Sequence, residues 1–144
     1  MRLGARAFDH LLNLVAFVGL RYRSPTQAQR WVAKLGRLGP ELGSKAEAMS
    51  ALEGLGSFGS CLSRSLSVAS RCPGAHVVIG VTRPSTDQAC RGTQLESAIR
   101  AHAWVELDGT PLYPEPENWA EIARVQLRPR PSTSLRASSS DPVA

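Results

Sequence analysis

Cysteine is scarce in this 144-residue chain, and the placement of the three excludes more than their number: Cys61, Cys72 and Cys90 contain no Cys-x-x-Cys pair. An odd count leaves at least one thiol unpaired within the chain, and the missing ligand spacing argues against a structural zinc site. A reducing, cytoplasmic setting is the expectation. Long apolar runs are missing too. The longest, Leu11 to Leu20, is interrupted by Asn13 and follows Asp9 and His10, which makes it too short to span a bilayer. It runs into Arg21-Tyr22-Arg23 where a signal peptide would place small residues, so neither a transmembrane segment nor a secretory signal is expected.

Dense basic tracts interleaved with aromatics are absent, although 17 Lys and Arg against 12 Asp and Glu give a formal charge of +5. Arg21, Arg23, Arg30, Lys34 and Arg37 are scattered over the first third, and Arg128, Arg130 and Arg136 over the end. That is a solvated basic surface, and no nucleic-acid partner is expected. The glycines at 54, 56 and 59 precede no Gly-Lys-Ser/Thr, so they do not form a phosphate loop. Nothing in the sequence asks for a cofactor or a metal.

What is present suffices for one domain: 42% of the residues are hydrophobic, enough for a core. Apolar residues at helical spacing (Phe8, Leu11, Leu12, Val15, Val18) predict a helix over about 5–23. Ser24-Pro25 restarts the chain into a helix over 27–38, with Trp31, Leu35 and Leu38 on one face, closed by Gly39-Pro40. Ser44 with Glu47 three residues on forms a capping box for a helix over 44–52. After a glycine-rich loop, a helix is expected over 60–71, ended by Cys72-Pro73-Gly74. Ala75 to Val81 and Ala101 to Leu107 read as strands, separated by an exposed loop over Thr82 to Glu96. Asp108-Gly109 predicts a hairpin with a return strand over 110–113. A short helix is expected over 117–125, with Trp119 and Trp31 read as core or interface residues. From 127 to 144 the Pro, Ser and Arg content predicts a disordered tail. The expected organisation is α+β: a helical region over 1–53, a core over 54–126 with a small antiparallel sheet, and the tail.

Cys61 opens a helix directly after a glycine-rich loop. Helix N-terminal N–H groups lack internal partners and the dipole favours negative charge there, so a thiolate is stabilised and the same groups can contribute to an oxyanion hole. Among the three histidines, His10 falls on the first helix and His76 opens the first strand. His102 opens the second strand, on one face with Trp104 and Glu106, while Ala103, Val105 and Leu107 take the other. Spacing alone leaves His102 equally open to a structural and a catalytic reading.

Gly59-Ser-Cys61-Leu-Ser-Arg64-Ser-Leu66, then Ala75-His-Val-Val-Ile-Gly-Val81, then Ala101-His102-Ala-Trp104-Val-Glu106-Leu-Asp108-Gly109, resembles the core of the lasso-peptide leader peptidases, over about Phe58 to Leu112. The resemblance implies a transglutaminase-like, papain-related fold over 54–126, with Cys61 as nucleophile and His102 as general base and acid. Arg64 belongs to the motif without an assigned role, and Trp104 shapes the strand. The family's acid falls close to Pro114 in this sequence; Glu115, next along, is the candidate third member, with Asp108 in the turn or no acid as alternatives. The implied activity is removal of a leader from a ribosomally made precursor peptide, by a cysteine peptidase needing no cofactor. The implied partners are the precursor, a small PqqD-like leader-recognition protein and a lasso cyclase. A transglutaminase-like acyl or amide transferase and a non-catalytic interaction module are the rival expectations.

Overall fold

The computed structural model describes residues 2–82, 100–113 and 119–131. Among these, helices come first: α1 (Arg2–Tyr22), α2 (Pro25–Gly36), α3 (Lys45–Gly54) and α4 (Cys61–Ala69). The strands β1 (His76–Thr82), β2 (Arg100–Leu107), β3 (Thr110–Pro111) and β4 (Trp119–Gln126) follow. They pair in the order β3-β2-β1-β4, each neighbouring pair antiparallel, so the fold is α+β.

The helix starts follow from their caps. Ser24 Oγ accepts from Gln27 N ahead of Pro25, and the Ser44–Glu47 capping box is present. Glu47 Oε2 accepts from Ser44 N at 3.1 Å and from Gly43 N at 2.9 Å. α4 is the hub, touching α1, α2 and α3 on one side and β1 and β2 on the other. Its composition allows this: Leu66, Val68 and Ala69 are fully buried, and so are the small Ser63, Ser65, Ser67 and Ser70. The buried hydroxyls are satisfied, Ser67 Oγ donating to Ser63 O and Ser70 Oγ to Ser67 O. One apolar cluster joins Ala16 and Val32 of the helical region to Leu66, Val77, Ala103 and Val105. Each fully buried leucine or valine in it contributes about 1.5–3 kcal/mol.

β1 is the central strand, with Val77 and Val78 buried on opposite faces, as its unbroken apolar run requires. Asp108 (φ 54°) and Gly109 (φ 74°) both take the left-handed conformation of a type I′ turn. The return strand is shorter than expected. Pro111 has no N–H to extend the ladder, although Leu112 N still donates to Val105 O at 2.9 Å.

Three expectations are corrected. The segment read as a helix around Trp119 and Ile122 is β4, paired with β1 from His76↔Gln126 to Thr82↔Trp119, with a bulge that passes over Ile122. The open edge of β1 offers a full row of backbone partners, and that long-range pairing overrides local helix preference. On α2 the buried face is Ala28, Val32 and Gly36, while Trp31 is partly exposed and Leu38 lies 78% exposed beyond the helix end. Small residues lie there because the packing is close: Ala28 meets Gly19 of α1, and Gly36 meets Ser70 at the end of α4. Leu127 to Pro131, assigned to a disordered tail, are docked: Leu127 is buried, Gly74 N donates to Arg128 O, Arg128 pairs with Glu41, and Arg130 with Asp108. The rest of the tail, 132–144, and the loop expected beyond Thr82, over 83–96, lie outside the described residues.

Candidate active site

Cys61 is delivered by the loop before α4. Gly59 (φ 84°) turns the chain where no Cβ fits, since one would stand 2.6 Å from Ser63 Oγ and 3.0 Å from Asn13. Asn13 Nδ2, from the middle of α1, donates to Phe58 O at 2.8 Å and fixes the loop from behind. Ser60 is the N-cap: its Oγ accepts from Ser63 N at 3.1 Å, and Ser63 Oγ accepts from Ser60 N at 3.0 Å. Cys61 is therefore the first helical residue. Among the described residues nothing accepts from Cys61 N or Leu62 N, which leaves two donors at the positive end of the helix.

His102 stands on β2 opposite Gly80 of β1. A Cβ at Gly80 would meet the Trp104 ring at 2.7 Å, so this glycine leaves room for an aromatic cluster. His102 lies 6.3 Å from Trp104, stacked at 22°, and 5.4 Å from Trp119, tilted at 48°. Trp104 Nε1 in turn donates to buried Glu106 at 3.2 Å, and Arg124 Nη1 donates to the other Glu106 oxygen at 2.6 Å. Burial, and after it the charge of Arg64, hold the His102 imidazole below its ordinary pKa. At neutral pH it is the uncharged form, able to accept a proton.

The helix start and the strand are joined by Ser65 Oγ, which donates to Ala103 O at 3.2 Å. Between them lies a cleft of about 310 Å³, whose walls include Cys61, Arg64, Ser65, His102, Trp104 and Tyr113. Consecutive residues of β2 (His102, Ala103, Trp104 and Val105) line it, so the cleft runs along the strand edge instead of over one sheet face. Glu53 also lines it. Burial, and then Glu53 as neighbour and hydrogen-bond partner, raise the Tyr113 phenol above its usual range.

Cys61, His102, Arg64 and Trp104, singled out by the sequence, thus share one cleft. Glu115 lies outside the described residues. Asp108 is not at this site: it lies in the turn past the end of β2, does not line the cleft, and its Oδ1 accepts from Arg130 at 2.8 Å. His76 pairs with Glu106 at the opposite end of β1, and His10 is exposed on α1, beside a hollow formed with Leu11, Leu14 and Phe58. Burial pushes the Cys72 thiol up to about 12, which makes it inert near neutral pH. Cys90 lies outside the described residues. Asn13, Glu53, Ser65 and Tyr113 were not singled out by the sequence. Asn13 had a signal, as the polar interruption of the apolar run; the others depend on distant chain segments meeting.

A larger hollow of about 500 Å³, walled by α1, α3 and the Pro40–Leu42 segment, is lined by no cysteine or histidine. Its floor is the buried Asp9–Arg71 ion pair. Among the described residues no group of three or more His, Cys, Asp or Glu is placed to hold a metal ion, and no helix is long and apolar enough to cross a membrane. No family model, no curated protein and no solved structure matches this chain.

Proposed function

We propose that this chain is a transglutaminase-like cysteine peptidase that removes the leader from a ribosomally made lasso-peptide precursor. The observation that carries the reading is that Cys61, first residue of α4, and His102 of β2 line one cleft. His102 takes the Cys61 thiol proton, and the thiolate attacks the scissile carbonyl. The oxyanion that forms accepts from Cys61 N and Leu62 N. His102 gives its proton to the leaving amine, which departs as the new N-terminus of the core peptide. Water, losing a proton to His102, then cleaves the thioester and releases the leader as a carboxylate.

Glu115 holds the orienting role in this reading. A site whose acid is weakly placed still functions, because the acid fixes tautomer and orientation and does not itself react. The reading includes a cytoplasmic location, a PqqD-like protein that grips the leader, and a lasso cyclase that consumes the freed amine.

The test is mass spectrometry of a lasso precursor incubated with the chain, with and without a leader-binding partner, comparing wild type with Cys61→Ala and His102→Ala. Leader release that vanishes in Cys61→Ala is the expected result. Release that survives the substitution removes the mechanism. A transferred or cross-linked product in place of free leader replaces the peptidase by an acyl transferase.

A further inference from the structure

Arg64 stands one helical turn after Cys61 and lines the same cleft. Its Nη1 donates to Gly56 O at 2.5 Å, while its Nε is buried without a hydrogen-bond partner. Among the described residues no carboxylate forms an ion pair with it. Glu53 stands on the same cleft wall and acts on the Tyr113 phenol, and it makes no ion pair with Arg64. Arg64 is half-buried, but a guanidinium N–H shut off from water is normally met by an acceptor, so the unmet Nε of this cleft-lining residue marks the place of a missing one. With Nη1 committed to Gly56, the Nε–Nη2 edge remains, and its two parallel N–H groups match the two oxygens of a carboxylate.

We propose that Arg64 receives a carboxylate carried by the molecule that Cys61 attacks, so that the cleft selects acyl donors with an anionic group close to the reacting carbonyl. The inference rests on reading Cys61 as the nucleophile of this cleft. For a peptide the carboxylate is either an acidic side chain near the scissile bond or a chain terminus. The seated anion also has an effect on the pair of reacting residues. Arg64 opposes protonation of His102, second to burial. A carboxylate on Arg64 offsets that field, so the imidazole takes up a proton more readily when the substrate is in place.

The test uses the full chain and reads alkylation of Cys61 by peptide mapping, with anionic iodoacetate against neutral iodoacetamide. The ratio of the two rates is expected to fall about fivefold in Arg64→Gln, the scale of one partly exposed charge pair, and to be largely kept in Arg64→Lys. In the wild type, N-acetyl-glutamyl amide is expected to slow labelling by iodoacetamide more than N-acetyl-glutaminyl amide does. Stronger protection by N-acetyl-glutamine with a free terminal carboxylate assigns the site to a chain end instead of a side chain. An unchanged ratio in folded Arg64→Gln overturns the proposal. So does equal protection by all three probes, a measurement that holds even where the variant does not fold. Charge-selective alkylation in a chain that cleaves no precursor keeps this inference and removes the peptidase reading; cleavage with charge-blind alkylation does the reverse.

Discussion

Asn13 and Phe58 are joined across 45 residues of sequence: Asn13 Nδ2, fully buried in the middle of α1, donates to Phe58 O at 2.8 Å. The bond ties the helical region to the loop that ends in Cys61. Asn13 Oδ1 has no partner, so the side chain is held for its donor.

Asn13→Ala is expected to lower the free energy of unfolding by about 1 kcal/mol, the cost of losing one part-buried hydrogen bond. Denaturant unfolding measures this. The same variant should alkylate more slowly at Cys61, because the loop that presents the helix start is no longer fixed. A variant as stable and as reactive as the wild type would contradict the positioning role.

Cys61 and Cys72 are expected to differ sharply as thiols. Cys72 is fully buried and pushed up to about 12, so its thiolate fraction near pH 8 is about one in ten thousand. Iodoacetamide near neutral pH should label Cys61 and leave Cys72 untouched until denaturant is added, as peptide mass mapping would show. Equal labelling of both in the folded chain would contradict the burial of Cys72 and the access to Cys61 from the cleft.

His102 gives the fold a pH dependence of defined sign. Its folded pKa lies below the ordinary 6.5, through burial first and Arg64 second. Between the folded and unfolded values the unfolded chain binds the proton more readily. Stability is therefore fully present above about pH 6.5 and is lost as pH falls through and below it. Unfolding free energy measured against pH should be flat from about pH 7 to 8 and decline below about 6.5, with a smaller decline in His102→Gln. Arg64→Gln should move the His102 imidazole titration, followed by NMR, upward. No movement would show that Arg64 does not act on the imidazole.

Asp9 and Arg71 form an ion pair with Arg71 only 1% exposed; Arg71 Nε also donates to Pro40 O at 2.8 Å, and the guanidinium lies 5.6 Å from the Phe8 ring centroid. Arg71→Met alone is expected to cost about 3–5 kcal/mol, since it strands a buried carboxylate. The double variant Asp9→Leu, Arg71→Met should recover most of that loss. Urea midpoints of the two variants decide it: equal losses would mean the pair acts through something other than mutual neutralisation.

The residues that carry the candidate site were legible where the signal is local. The glycine-rich loop before Cys61 and the helical stretch after it announce a helix start, and alternation along Ala101 to Leu107 places His102 and Trp104 on one face. The Asp-Gly turn required two left-handed residues and has them. What could not be read was the partner of each element. Trp119 to Gln126 has helix-like spacing and becomes a strand because β1 has an open edge beside it. Leu127 to Pro131 are polar and proline-rich, yet they dock through Glu41, Gly74 and Asp108, none of which is near in sequence.

The sequence by itself determined the helix start at Cys61, the apolar strands and the α+β order, because caps, turns and periodicity depend on neighbours a few residues apart. The tertiary structure decided that Cys61, His102, Arg64, Glu53 and Tyr113 line one cleft, and that Asp108 does not. Burial, desolvation and unmet hydrogen bonds arise only when segments distant in sequence exclude water from each other. A thiol, an imidazole and a guanidinium therefore acquire their chemistry from the fold and not from their spacing.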